Sequence, residues 1–424
     1  MKVQGCLMAA GAVLLGAHLV GATPTVSDVT FVQDRGTRGV TITYRLPGEA
    51  AVVTLDVQTN GVSIGMDKLM SVAGDVNALV QPTSGDAVRT ILWNPLADWP
   101  SNKVNDCSMR AVVTAWATNA PPDYIVYDLA ASNPDAPAFY TCAEAVPLGV
   151  TNELYKMRKI VMRRIHATGV RWRMGSPSTE SGRQANETLH EVTLSNDYYM
   201  AIYPFTQGQY KELTGSEAGT YARTKSRQNY LWRPCEGFAN PKCPFSSVRG
   251  GDWPAGGREG VAANTVADKL RKRTGQDTFD LPTEAQWEFA CRAGTRGPYN
   301  NDGPYAQANF RTLGWEQGTS YYGDTADATE QPVGFLLPNA WGLYDMHGNV
   351  IELCLDWYQT DLGTAAVIEP VGPTSDVEGK GRVTRGGGMA GYWQKSRSAF
   401  RSYLAESAAN LSTGYRFMCD AVVK

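Results

Sequence analysis

Between residues 28 and 116 apolar and polar positions alternate: Val40, Ile42, Tyr44 and Leu46, then Val53, Leu55 and Val57, are separated by polar or small residues. Successive side chains of a strand point to opposite faces, so this period of two marks strands with one buried face. Short runs of the same kind follow at residues 90–93 and 109–116, with Gly, Pro and Asp in the intervals. The pattern predicts a small all-β sandwich of the immunoglobulin or fibronectin type. Asn119-Ala120-Pro121-Pro122 reads as a turn and residues 124–129 as one more edge strand. A boundary is expected between Ala136 and Glu153, and the unit is drawn as residues 23–148.

Beyond that boundary the pattern changes. Helix signals now appear. Thr206 followed by Gln209 forms a capping box, in which hydroxyl and carboxamide satisfy backbone donors at a helix start, and Gly215 closes the helix. The same device recurs at Thr283 and Gln286, with Pro282 before it and Gly294 after. A third helix is expected through Val261, Val266 and Leu270. These capped helices among many loops belong to a second unit, drawn as residues 149–424.

A chain of 424 residues is too long for one ordinary core, which agrees with two units. With 43 Gly and 23 Pro it is rich in turns. Lys2, the apolar run at residues 7–20 and Val20-Gly21-Ala22 read as an export signal over residues 1–22, which implies a secreted, periplasmic or cell-surface protein. That run is too short to span a bilayer, so no membrane span is expected. A net charge of −3 gives no footprint for nucleic acid. The basic residues from Lys156 to Arg164 are interleaved with Met157, Ile160, Val161 and Met162, the pattern of a strand with one solvated face. Past the signal the cysteines are Cys107, Cys142, Cys235, Cys243, Cys291, Cys354 and Cys419; an odd number leaves at least one thiol unpaired within the chain.

Five blocks follow in order: Leu281-Pro282-Thr283-Glu284-Ala285-Gln286-Trp287-Glu288, Gly342-Leu343-Tyr344-Asp345-Met346-His347-Gly348-Asn349, Arg385-Gly386-Gly387-Gly388, Arg397-Ser398-Ala399-Phe400-Arg401 and Gly414-Tyr415-Arg416. Their order and spacing resemble the formylglycine-generating (sulfatase-modifying factor) enzyme family, over roughly residues 156–420. The resemblance implies a C-type-lectin-like α+β fold. It also implies an oxidase that holds copper(I) between two cysteine thiolates, yet those positions fall here on Gly391 and Ser396. Soft, ionisable thiolates suit copper(I), whereas glycine has no side chain and a serine hydroxyl is hard and protonated, so copper is not expected.

Other family features carry over by position. A calcium loop would use the side chains of Asp345 and Glu352 and the carbonyls of Gly348 and Val350, a hard oxygen set. A second ion would involve Asn309, Phe310 and a later acid such as Asp324. Met389, Tyr392 and Trp393 sit where the family lines its peptide groove, Arg397 and Arg401 pair with acids, and a disulfide joins Cys291 to Cys419. Together these imply an exported, calcium-stabilised, non-catalytic module for a peptide, glycan or protein ligand. A family oxidase or sulfatase-maturation factor with a rearranged metal site is the second reading, and a cell-surface structural protein the third.

Overall fold

The computed structural model describes residues 23–100, 108–130, 136–216, 230–235, 245–255, 257–317, 330–408 and 412–423. The export signal expected at residues 1–22, together with Cys107, Cys243 and Asp324, lies outside them.

Near the N-terminus, two antiparallel sheets enclose one apolar core. One runs in the order Ser27–Gln33, Val40–Arg45, Arg89–Trp93, Ala73–Gly74. In the other, Ala51–Thr59 pairs with Met109–Trp116, and with Val62–Ser63 and Ala78–Val80. The alternating residues Val40, Ile42, Tyr44, Val53, Leu55 and Val57 all enter this core. Val52, of opposite pleat, instead joins the next core with Ile125, Tyr127 and Leu129, which packs this sheet against the remainder of the chain.

The strand Tyr124–Asp128 differs from its expected place. It does not edge the N-terminal sheets but pairs with Lys159–Ile165. The resulting sheet runs Ala138–Tyr140, Tyr124–Asp128, Lys159–Ile165, Tyr198–Ala201, Met418–Asp420. Ile125 and Tyr127 face one core while Tyr124 and Val126 face another, so both sides of the strand are covered. A strand apolar on both faces suits the interior of a sheet with a layer on each side.

Both capping boxes form, at Thr206–Gln209 before helix Gln207–Thr214 and at Thr283–Gln286 before helix Glu284–Arg292. Gly215 closes the first with φ 69°, but the second closes one residue early, on Ala293 with φ 47°. The third helix, Val266–Thr274, is capped by Thr265 and starts beyond Val261. Helix Glu284–Arg292 is buried along its whole length. It lies beside the sheet Ser402–Leu404, Arg382–Arg385, Ile351–Trp357, Thr413–Gly414, and this contact positions the candidate site. Among the described residues no helix is long and apolar enough to cross a membrane.

Candidate functional site

Buried guanidinium–carboxylate pairs surround that helix. Arg385 reaches Glu288 and, at 3.1 Å, Glu284; Arg401 forks onto Glu284; Arg397 holds Glu180 and Glu187. Arg416 grips Glu352, whose Oε2 also accepts the indole N–H of Trp287 at 2.7 Å. The planar, always-charged guanidinium matches a carboxylate with two hydrogen bonds, which makes such pairs tolerable in an interior. Arg397 and Arg401 therefore brace the chain, as the resemblance implies.

Gly391 precedes the short turn Trp393–Ser396, and Ser396 ends it. Gly391 donates its N–H to the Gly388 carbonyl at 2.9 Å and accepts from Gln317 N at 3.1 Å. Ser396 is buried, and its carbonyl accepts the Nδ1–H of His347 at 2.7 Å. With the proton on Nδ1, Nε2 accepts the N–H of Asn300 at 3.1 Å. Burial pushes the His347 imidazole down to about 4 and the Cys291 thiol, 3.9 Å from Nε2, up to about 12. This pair thus stays neutral imidazole and thiol, not imidazolium and thiolate. Glycine and a serine hydroxyl do not fit copper(I) at the two positions.

A ladder of rings leads outward from His347. Tyr299 meets it edge-on at 5.5 Å, Tyr305 stacks on Tyr299 at 6.5 Å, and Trp393 lies 4.7 Å from Tyr305. Beside Trp393, Tyr392 is 62% exposed. Glu316, buried behind them, accepts the Trp393 N–H at 3.3 Å. The wall expected at residues 389–393 is therefore Tyr392 with part of Trp393. Met389 does not line it, being buried with its N–H on the Asn349 carbonyl.

The loop expected to hold calcium is tightly turned: Asp345, Gly348 and Asn349 have φ 54°, 74° and 61°. A Cβ on Gly348 would stand 2.2 Å from the Trp315 carbonyl oxygen, so only glycine fits. Asp345 accepts the N–H of Gly334 at 2.7 Å and the amide of Asn349 at 3.3 Å. No Lys, Arg or His forms an ion pair with this buried carboxyl among the described residues, although Arg416 and Lys156 act on it from farther off. Glu352 does not need a metal cation, because Arg416 and Trp287 take its lone pairs. At the second expected site, Asn309 exchanges hydrogen bonds with Asn301 and the Phe310 carbonyl accepts from Leu313 N. Asn309 is thus committed within the chain.

Cys291 and Cys419 are both free thiols, contrary to the expected disulfide. The pleat explains it. On strand Met418–Asp420 it is Met418 that faces the core containing Cys291, while Cys419 faces the opposite core and lies 4.0 Å from the Met162 sulfur.

With this geometry in hand, the sulfatase-modifying factor enzyme 1-like domain matches residues 164–421. The chain belongs to that family. Among its relatives, the serine/threonine-protein kinase pkn1 of Chlamydia pneumoniae is 30% identical over 250 residues, 57% of this chain and 36% of that protein. A formylglycine-generating enzyme of Thermomonospora curvata is 35% identical over 153 residues, 33% of this chain and 49% of the enzyme. An inactive C-alpha-formylglycine-generating enzyme 2 of Bos taurus is 29% identical over 224 residues, 46% of this chain and 71% of that protein. This chain spans only about a third of the length of the kinase relatives. Of solved structures, Treponema denticola variable protein 1 is 25% identical with a TM-score of 0.45, over 62% of this chain and 95% of that one.

In this sulfatase-modifying factor domain, sequence reasoning missed the Tyr299–Tyr305 ladder and Asp356. Tyr299 and Tyr305 lie in a loop without periodicity, so nothing in their spacing points at Trp393. Asp356 did leave a signal. In Glu352-Leu353-Cys354-Leu355-Asp356 the leucines alternate with polar residues, yet the whole run is buried, so the polar face also looks inward.

Proposed function

We propose that this chain is an exported, non-catalytic member of the sulfatase-modifying factor family, working as a binding or accessory module for a peptide, glycan or protein. The observation that carries the reading is the donor set: glycine and serine stand at positions 391 and 396, and the nearby Cys291 thiol is held protonated. The inactive bovine relative is consistent with a family member that persists without the reaction. Tyr392 and Trp393 supply the ring surface on which a sugar or peptide would stack. The N-terminal sheets are read as an immunoglobulin- or fibronectin-type sandwich serving as a spacer.

A calcium ion at the Asp345 loop completes the proposal, drawing on Asp345 and the carbonyls of Gly348 and Val350. It would supply charge compensation and rigidity rather than chemistry. The enzymes in the family, at 35% identity over a third of the chain, favour an oxidase with a rearranged metal site as the second reading. Anaerobic copper(I) titration with an oxidation assay on a cysteine-containing sulfatase peptide separates the two. Stoichiometric copper binding with turnover overturns the binding-module reading.

A further inference from the structure

We propose that a cavity between the start of helix Glu284–Arg292 and the loop after strand Val367–Ile368 is a binding site for an alkylammonium group. It is distinct from the Tyr392–Trp393 surface and does not depend on the reading above. The cavity measures about 410 Å³, and Met174, Trp357, Leu362 and Val367 give it apolar walls.

Its polar groups offer no unpaired guanidinium or ammonium. Arg401 lines the cavity, but its guanidinium is spent: it forks onto Glu284 and donates to the carbonyls of Asn186 at 2.9 Å and Gln359 at 3.0 Å. Glu284 is thereby neutralised, with Arg385 also 3.1 Å from its Oε1. Asp356 is not. It is 4% exposed, its Oδ2 accepts the N–H of Glu284 at 2.7 Å, and no Lys, Arg or His among the described residues lies within ion-pair distance. Isolated buried carboxylates are costly, and burial, with the charge of Glu284 next, raises the Asp356 carboxyl to about 7. His190, also on the wall, donates Nδ1–H to the Thr188 carbonyl at 2.8 Å, so Nε2 is the ring nitrogen outside that bond. Glu369 adds a further acid at the rim.

An uncompensated acid, an imidazole beside it on the wall and an apolar chamber describe the complement of an ammonium on an alkyl stem. Its N–H donors would meet the Asp356 carboxyl, and its methylenes would cover the apolar walls. A small anion would meet only acids and an occupied arginine. A metal ion is less suited, since no three His, Cys, Asp or Glu side chains converge among the described residues.

Titration calorimetry of the full chain with n-pentylamine, and with n-pentanol as the neutral control, tests this. We expect the amine to bind and the alcohol not to. Affinity should rise about tenfold from pH 6 to 8 as a carboxyl with a value near 7 ionises. The other groups facing Asp356 are Glu284, Arg401, Arg382, Cys354, His190 and Glu369. Asp356→Asn keeps an acceptor for the Glu284 N–H but removes the charge, so it should weaken binding at least tenfold and flatten the pH slope. Should that variant not fold, Leu362→Trp fills the chamber from its loop and is expected to block binding equally. Nα-acetyl-lysine amide distinguishes sources: binding like n-pentylamine assigns a lysine side chain, and exclusion assigns a free amine. No binding of n-pentylamine to the parent, or equal binding by Asp356→Asn, overturns the proposal.

Discussion

The Cys291 sulfur lies 3.9 Å from Nε2 of His347, yet the two do not form a reactive pair. Nε2 is already engaged by the Asn300 N–H, and the Nδ1 proton is tied to the Ser396 carbonyl. Both groups are fully buried, which holds the thiol near 12 and the imidazole near 4. Reaction with iodoacetamide needs thiolate, so Cys291 should remain unlabelled in the folded protein from pH 7 to 9 and label fully in urea. Peptide mapping by mass spectrometry reads this out. Labelling of Cys291 in the native state within minutes would contradict the assignment.

Removing one member of a buried charge pair leaves the other uncompensated. Arg416 and Glu352 share three contacts between 2.8 and 3.2 Å, and both are almost wholly buried. Arg416→Met should destabilise the fold by about 3–5 kcal/mol. Combining it with Glu352→Gln should recover part of that loss, since no stranded carboxylate remains. Urea melts of the parent, single and double variants check it. A double variant no more stable than the single would mean that the guanidinium acts through its bonds to the Ala201 and Tyr344 carbonyls instead.

His166 bridges two elements at the surface, with Nε2 2.8 Å from Asp123 and Nδ1 3.5 Å from Asp197. Hydrogen bonds to Asp123 and then Asp197 raise its imidazole from 6.5 to about 9. A raised value means that the folded state binds the proton more tightly. The stabilisation is complete below pH 6.5 and is lost as the pH climbs through about 9. The side chain is 56% exposed, so solvent and salt shrink the effect. Urea midpoints should fall modestly between pH 6.5 and 9, more so at low salt, and His166→Gln should flatten that slope. An unchanged slope in the variant would assign it to other groups.

Local signals carried furthest where they determined local structure. Thr206–Gln209 and Thr283–Gln286 satisfy backbone donors within one turn, so their helices follow directly from four residues. The alternation at residues 40–57 likewise found the first core. Tyr124–Asp128 was misplaced because its partner, Lys159–Ile165, is set by packing on both faces and not by anything within the strand. The Cys291–Cys419 bridge failed for a related reason. Cys419 lies on the other side of the pleat from Met418, and a single step along a strand is a change of core in three dimensions.

Calcium at the Asp345 loop makes a direct thermal prediction. A ligand that binds only the folded state raises stability with its concentration. Chelation of the purified protein with EGTA should therefore lower its Tm, and excess calcium should restore it. Asp345→Asn retains an acceptor for the Gly334 N–H while removing the charge, so it should lose most of the response. A parent protein whose Tm ignores EGTA and calcium alike has no calcium at this loop.

The proposal that residues 391 and 396 stand where the family places its copper thiolates can be tested by installing cysteines there. A Cβ at Gly391 would stand 3.3 Å from the Gly388 carbonyl oxygen, close enough to require only a small local shift, and Ser396→Cys exchanges one small side chain for another. If the surrounding frame of Arg385, Glu288 and His347 is intact, Gly391→Cys with Ser396→Cys should confer binding of one copper(I) per chain under anaerobic conditions, where the parent binds none at these positions. Each single variant provides only one soft ligand and should bind far more weakly, because two thiolates act together in holding the ion. Competition with a chromophoric copper(I) chelator measures the difference, and the urea midpoint confirms that each variant is folded. A folded double variant no tighter than the singles would show that residues 391 and 396 do not face one another in this chain, and the argument from absent thiols would lose its footing.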